Sequence, residues 1–151
     1  MSTRTTEHAT FVIERSFPAD PSRVFAAWAS AEAKAKWFGP DLDGGPDLEL
    51  DFQVGGRERF AATTPDGTTY TYIALYKDIV ADERIVYTYE MYIDDERMSV
   101  SVATIEFAPS DQGTALTMTE QGVFLDGQDT VAAREHGTRE IIEKLAATVS
   151  A

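Results

Sequence analysis

The sequence contains no cysteine, and this absence excludes several kinds of site. Disulfide bonds, thiol nucleophiles and thiolate metal sites all require that residue. Histidine is nearly as scarce, because His8 and His136 are the only two among the 151 residues. Phosphate-binding and dinucleotide-binding fingerprints are missing as well. The sequence therefore predicts neither a metal site nor a cofactor.

Basic residues are also in short supply. The chain has 13 Lys and Arg against 26 Asp and Glu, for a net charge of -13. Nucleic acids and anionic membrane surfaces are poor partners for such a chain, because their phosphates would be repelled over most of its surface. No apolar run approaches the roughly 20 residues of a membrane span, and residues 2–7 lack the apolar centre of a signal peptide. We expect a cytoplasmic protein without membrane insertion.

The order of the predicted elements is the most informative feature that the sequence does contain. Alternating apolar residues predict a first strand over 10–17, and helix caps at Asp20 and Ser30 predict two short helices, the second ending before Gly39-Pro40. Strands separated by short turns are predicted at 47–53, 57–63, 69–80, 84–92, 97–108 and 113–122. A helix is predicted over 128–149.

These elements predict an α+β fold, in which a curved antiparallel sheet wraps around the long C-terminal helix. Residues 1–9 are predicted as an N-terminal extension, and residues 10–151 as one domain. One helix face is aliphatic in its second half but carries Arg134, Gly137 and Thr138 in its first half. We therefore expect looser packing, and an internal pocket, near the helix start. His136 lies about 200° around the helix from Arg134, so we expect it to face solvent and exclude it as a catalytic base.

Several segments, taken in order and spacing, carry a family resemblance. They are RSFPA at 15–19, VFAAW at 24–28, KWFGP at 36–40, DFQVGG at 51–56, PDG at 65–67, ERIVYTY at 83–89 and GTALTMT at 113–119. Together they resemble the START-like (SRPBCC) superfamily, and specifically bacterial homologues of the heat-shock-protein (Hsp90) ATPase activator. The resemblance implies the helix-grip (START/Bet v-like) fold and a pocket, but it identifies no ligand, because one fold hosts many functions.

The sequence departs from the family pattern at three positions. Gln53 stands where the family often has Arg, and Glu120 stands where His is common. Thr138 follows Gly137 where Trp is usual in the family. The resemblance thus implies a cavity that is larger or more polar here than in relatives.

The predicted ligand-binding residues are those whose strand or helix face points to this pocket. They are Phe60, Tyr72, Tyr87, Tyr89, Met118, Glu120, Arg134 and Thr138. Glu120 shares a strand face with Met118, so we expect burial to raise the pKa of its carboxyl unless a cation lies near. Arg134 and Arg15 are the cations predicted to point inward. A Glu120–Arg134 pair could orient a polar ligand or act in acid–base catalysis, and a purely structural ion pair is the competing interpretation.

Two further patterns have structural interpretations. Trp28 and Trp37 are predicted to anchor the short helices, with Trp37 and Phe38 as a second option for a cavity lid. The acidic residues of 41–51 suggest calcium, but their spacing lacks the third ligand, the glycine and the bidentate Glu of a calcium loop. We interpret this segment as a solvated acidic loop.

Three functions remain open at this point. The first is the binding of a small, largely hydrophobic molecule between the sheet and the C-terminal helix. The second is an enzyme of the polyketide cyclase or dehydratase type, with Glu120 as the candidate acid or base. The third is a chaperone-ATPase co-factor, as the family name suggests. Exposed sheet edges could in addition pair in a homodimer.

Overall fold

A computed structural model of the protein describes residues 4–39 and 47–150. Within these ranges the chain forms seven strands and three helices. In chain order they are β1 (Thr6–Phe17), α1 (Pro21–Ala26), α2 (Ala31–Lys34), β2 (Asp47–Leu50), β3 (Arg57–Thr63), β4 (Thr69–Val80), β5 (Arg84–Ile93), β6 (Glu96–Ser110), β7 (Gly113–Leu125) and α3 (Val131–Ser150). The predicted α+β helix-grip class is confirmed.

All of these strands join one curved antiparallel sheet, in the order β1-β7-β6-β5-β4-β3-β2. The strands from β2 to β7 follow one another as a meander, which confirms the prediction from the short turns. β1 instead pairs with β7, from Thr6 opposite Leu125 to Phe17 opposite Thr114. This strand begins at Thr6 rather than at residue 10, so residues 6–9 of the predicted extension pair within the sheet. Their side chains are mostly exposed, which explains the missing apolar alternation.

The two short helices begin at the predicted caps. Asp20 Oδ1 accepts a hydrogen bond from the Arg23 amide at 3.0 Å, and Ser30 Oγ accepts one from the Ala33 amide at 3.1 Å. The Ser30 bond is a typical helix cap, and the Asp20 carboxylate shares the Arg23 amide with the Asp20 carbonyl, which accepts from it at 3.1 Å. α2 ends at Lys34, earlier than predicted, and turns carry the chain on to Gly39.

The tryptophans hold these helices together, as the sequence predicted. The rings of Trp28 and Trp37 meet edge to face with centroids 4.7 Å apart. The Trp37 indole also donates a hydrogen bond to the Ala27 carbonyl at 3.0 Å. Both side chains are almost completely buried, so α1 and α2 form one unit with a shared aromatic contact.

The long helix α3 covers the inner face of the sheet unevenly. Its second half buries Ile142, Leu145, Ala146 and Val149, whereas its first half buries only Thr138. Aliphatic packing therefore fixes the C-terminal half of α3 against the sheet, and the N-terminal half stands over open space. No helix of the described ranges combines the length and the apolar character needed to cross a membrane.

Candidate functional site

A cavity of about 320 Å³ lies between the inner face of the sheet and the first half of α3. Ligand pockets in proteins span about 300–1,000 Å³, so this volume suits a small molecule. Every residue that the sequence predicts as ligand-binding lines the cavity: Phe60, Tyr72, Tyr87, Tyr89, Met118, Glu120, Arg134 and Thr138. Trp28, Trp37 and Phe38 join them, so both tryptophans serve as anchors and as cavity wall. The binding role of these residues stays a prediction.

The mouth of the cavity lies where solvent reaches the lining residues. Ala133 is exposed and Gly137 is half-buried on α3, while Thr64 and Tyr70 are half-buried near the β3–β4 turn. A Cβ atom built on Gly137 would meet no atom of residues 4–39 and 47–150 within 4 Å. The start of α3 and the β3–β4 turn therefore frame the entrance, and small side chains on the helix keep it open.

A polar cluster occupies one end of the otherwise aromatic cavity. The Tyr89 hydroxyl donates a hydrogen bond to Glu120 Oε2 at 2.7 Å. The Arg134 guanidinium donates to Tyr89 Oη at 3.0 Å and to Ser99 Oγ at 2.9 Å, and it lies 3.8 Å from Glu120 Oε2. Asp129, just before α3, holds the other edge of the guanidinium with contacts of 3.0 and 3.2 Å. The five side chains thus form one network between β5, β6, β7 and α3.

Burial sets the protonation chemistry of this cluster. Glu120 is only 2% exposed, and its burial raises the pKa of the carboxyl above the ordinary value, although the Tyr89 hydroxyl and the Arg134 charge act against that rise. Burial likewise raises the pKa of Tyr89, with the nearby Glu120 charge as the second cause. The predicted rise at Glu120 is thus present even with a cation near. The carboxyl can hold a proton at a higher pH than an exposed glutamate.

A second polar cluster lies beneath the aromatic wall and was not predicted from the sequence. Lys34 Nζ and Glu58 Oε1 are 2.7 Å apart, and both side chains are 0% exposed. The Tyr76 hydroxyl donates to the same Glu58 oxygen at 2.5 Å, whereas Glu58 Oε2 is buried without a hydrogen-bond partner among the described residues. Burial lowers the pKa of the Lys34 ammonium, and the pairing with Glu58 opposes that shift. This is an ion pair fully removed from water.

Aromatic rings surround the Lys34 ammonium. Its Nζ lies 4.4 Å from the ring centroid of Phe38, 5.4 Å from that of Trp28, 5.7 Å from that of Tyr87 and 6.0 Å from that of Trp37. Such distances allow cation–π attraction to each ring. Because the same rings line the cavity, the ion pair supports one wall of the candidate site from behind.

The family model described as activator of Hsp90 ATPase homolog 1-like protein matches residues 18–150. The chain belongs to this family. An uncharacterised protein from Rhizobium leguminosarum is 42% identical, with a TM-score of 0.93 over 97% of each chain. The Mll3558 protein from Rhizobium loti is 44% identical, with a TM-score of 0.89 over 95% of this chain and 99% of that one. Protein CV1439 from Chromobacterium violaceum is 27% identical, with a TM-score of 0.78 over 94% and 98%. No curated protein matches this sequence.

Membership in the family defines the fold and indicates the general class of ligand that this fold binds. The START-like fold commonly binds hydrophobic ligands. The matched segment contains both polar clusters and every predicted ligand-binding residue, whereas all of β1 lies before it. The family match thus covers the whole candidate site and adds no ligand to it.

Arg15 lies on the inner face of β1, as predicted, but its charged end pairs with an acidic side chain of α3 rather than with Glu120. This residue alternates with Phe11, Ile13 and Phe17 on β1, but its guanidinium donates to both carboxylate oxygens of Glu143 on α3, at 2.9 and 3.1 Å. The Arg15 side chain remains 38% exposed because its length lets the charged end reach water. Arg134 is therefore the cation that accompanies Glu120.

Other sequence interpretations have clear outcomes. His136 is exposed, with Nε2 3.0 Å from Glu140 Oε1, which confirms that it faces away from the cavity. Of the acidic loop, Asp47 and Asp51 are exposed, whereas Asp41 and Asp43 lie outside the described residues. Within residues 4–39 and 47–150, no group of three or more acidic or histidine side chains is placed to hold a metal ion.

The alternation of side chains along β3 contains a signal that predicts the Lys34–Glu58 pair. Glu58 alternates with Phe60 and Ala62 on β3, so the pattern that points Phe60 inward also points Glu58 inward. Lys34 lies one helical turn before Trp37, on the buried side of α2. Two opposite charges on inward faces predict a buried pair.

Proposed function

We propose that this protein binds a small, largely hydrophobic ligand in the cavity between the sheet and α3. The observation that carries the proposal is the pairing of an aromatic wall with a single polar end inside one cavity of about 320 Å³. Tyrosine and tryptophan rings offer apolar area, and a few placed polar groups fix the orientation of a bound molecule. The ligand preference of the START-like fold supports the same conclusion.

The packing of α3 gives further support. A helix that needed only a stable core would bury aliphatic side chains along its whole inner face, as the second half of α3 does. The first half instead presents Gly137 and Thr138 to open space beside the cavity. Space left beside a half-open aromatic wall is a feature expected of a binding site.

Native mass spectrometry of gently purified protein tests the proposal. The wild-type protein should carry a reproducible small-molecule adduct, whose mass identifies the ligand. Thr138→Trp should lose the adduct because the larger ring fills the cavity beside Arg134. His136→Trp is the matched control: it places the same ring on the exposed side of the same helical turn and should retain the adduct.

The interpretation of this experiment depends on folded variants, so circular dichroism accompanies each spectrum. An adduct that survives unchanged in a folded Thr138→Trp variant would place the molecule outside the cavity. Wild-type protein that carries no adduct and takes up no apolar probe when titrated would overturn the proposal.

Glu120 supports a second candidate function, an enzyme related to polyketide cyclases or dehydratases. The carboxyl is buried, its pKa is raised, and the Tyr89 hydroxyl contacts it, so it could deliver a proton to a substrate in the cavity. Glu120→Gln should then abolish turnover of a substrate that the wild-type protein converts, while binding is retained. Loss of binding and turnover together would favour a binding role alone. No contact among the described residues favours the chaperone hypothesis over these two.

A further inference from the structure

We infer that the ligand of this cavity carries a non-anionic hydrogen-bond donor, such as a hydroxyl or an amide N–H, and that carboxylates and phosphates are excluded. This inference rests on the proposed function, because it assigns a chemical class to the proposed ligand. It is carried by the geometry of the Glu120, Tyr89, Arg134 and Asp129 cluster at the polar end of the cavity.

Arg134 looks like an anion-binding residue, but its nitrogens are already engaged. Nε donates to Asp129 Oδ2 at 3.2 Å, one terminal nitrogen donates to Tyr89 Oη at 3.0 Å, and the other donates to Ser99 Oγ at 2.9 Å. A carboxylate or phosphate is bound best through two parallel N–H groups of a guanidinium. Each edge of Arg134 that could offer such a pair already contacts oxygens of the protein.

The charge balance of the cluster also opposes an anion. Two carboxyl groups, from Glu120 and Asp129, accompany a single guanidinium. An anionic head group at this end would bring a third negative charge into a site that is mostly buried. Interactions between charges are stronger there than at the surface, because the local dielectric constant is lower.

The remaining hydrogen-bonding capacity of the cluster is that of an acceptor. The Tyr89 hydroxyl has no proton left to donate to a ligand, since it donates to Glu120, and it also accepts from Arg134. Glu120 accepts this bond through Oε2. The Ser101 hydroxyl lies near the same carboxyl and acts against the rise of its pKa, so it also serves Glu120 as a donor. A carboxylate offers about four acceptor sites, so a ligand that donates to Glu120 finds acceptor capacity there.

Isothermal titration calorimetry with three probes of one skeleton tests the inference. The probes are naphthalene-2-methanol, 2-naphthoate and 2-methylnaphthalene, which differ only in the head group attached to the bicyclic ring. We expect naphthalene-2-methanol to bind at least tenfold more tightly than 2-naphthoate, and several-fold more tightly than 2-methylnaphthalene. Glu120→Gln should reduce the difference between alcohol and carboxylate to less than threefold, because glutamine is neutral and offers an N–H donor.

Glu106→Gln is the matched control, since Glu106 is an exposed carboxylate on β6 outside the cavity. It should reproduce the wild-type preference. Equal or tighter binding of 2-naphthoate by the wild-type protein would overturn the inference and leave the proposed function standing. The same holds if 2-methylnaphthalene binds as well as the alcohol, because the head group would then be ignored. Failure of all three probes would instead overturn the proposed function, and the inference with it.

Discussion

Replacing Lys34 by methionine tests the energetic role of the buried ion pair beneath the cavity. Lys34→Met keeps an unbranched apolar chain but removes the ammonium that lies 2.7 Å from Glu58 Oε1. Glu58 would remain 0% exposed, with the Tyr76 hydroxyl as its hydrogen-bond donor and with Oε2 still unpaired within the part of the chain that the structure describes. The variant therefore leaves a carboxylate inside the protein without its counter-charge.

The size of the expected loss of stability follows from the counter-charge that Glu58 loses. Removing one partner of a buried ion pair lowers the free energy of unfolding by about 3–5 kcal/mol, because the remaining charge is desolvated without a partner. For a chain of this size the midpoint of thermal unfolding should fall by roughly 6–20 °C. Arg84→Met is the matched control, since Arg84 pairs with Asp78 at 2.6 Å but is 50% exposed. It should cost less than about 1 kcal/mol.

A double-mutant cycle separates the ion pair from general damage to packing. Glu58→Gln keeps the shape of the side chain and the hydrogen bond from Tyr76. If the charges are coupled, Lys34→Met/Glu58→Gln should be more stable than the sum of the two single losses predicts, by about 2–3 kcal/mol. Urea unfolding followed by circular dichroism gives these values without relying on Trp28 and Trp37, which lie close to the mutated ammonium. A Lys34→Met variant no less stable than Arg84→Met, or strictly additive losses, would refute this reasoning.

Three further predictions concern the cavity itself. The pKa of Glu120 is raised above 4.5 in the folded state, so the folded protein keeps this proton at pH values where the unfolded chain has lost it. The stability of the wild type therefore falls as the pH rises and the buried carboxyl ionises. Relative to the wild type, Glu120→Gln should therefore gain free energy of unfolding as the pH rises from about 4.5, and a pH-independent difference would count against the raised pKa. Gly39→Ala should lower the free energy of unfolding by at least about 1–2 kcal/mol, because Gly39 has a φ of +97° and an added Cβ would clash with the Phe60 ring. Unchanged thermal unfolding would contradict this. Gly137→Ala should raise the free energy of unfolding by about 0.5–1 kcal/mol, because alanine favours the helix more than glycine does. The added Cβ would meet no atom of the described residues within 4 Å. A loss of stability in urea would show that the space beside Gly137 is not open.

Local sequence signals predicted most of the fold because each one has a short-range physical cause. The caps at Asp20 and Ser30 satisfy amides within their own helical turns, and short turns between alternating strands allow only neighbouring antiparallel pairing. The start of β1 was missed for the opposite reason. Residues 6–9 are ordered by pairing with β7, more than a hundred positions away in the sequence, and their exposed side chains carry no apolar period.

In the candidate site, too, local sequence patterns predicted some contacts and missed another. The alternation of side chains along the strands placed Tyr87, Tyr89 and Glu120 on the inner face of the sheet. The helical period placed Arg134 above them, so the contacts among these residues followed from local rules. The engagement of Arg134 by Asp129 did not, because it depends on how the chain enters α3. The Asp129 contact changes which ligands the cluster can bind. An arginine paired with Glu120 alone would suggest a site for anions. An arginine shared between two carboxyl groups instead leaves a hydrogen-bond acceptor facing the ligand.

Asp129→Asn would remove one of these negative charges and weaken the discrimination against 2-naphthoate relative to naphthalene-2-methanol. An unchanged ratio of the two affinities would show that Asp129 has no part in selecting the head group.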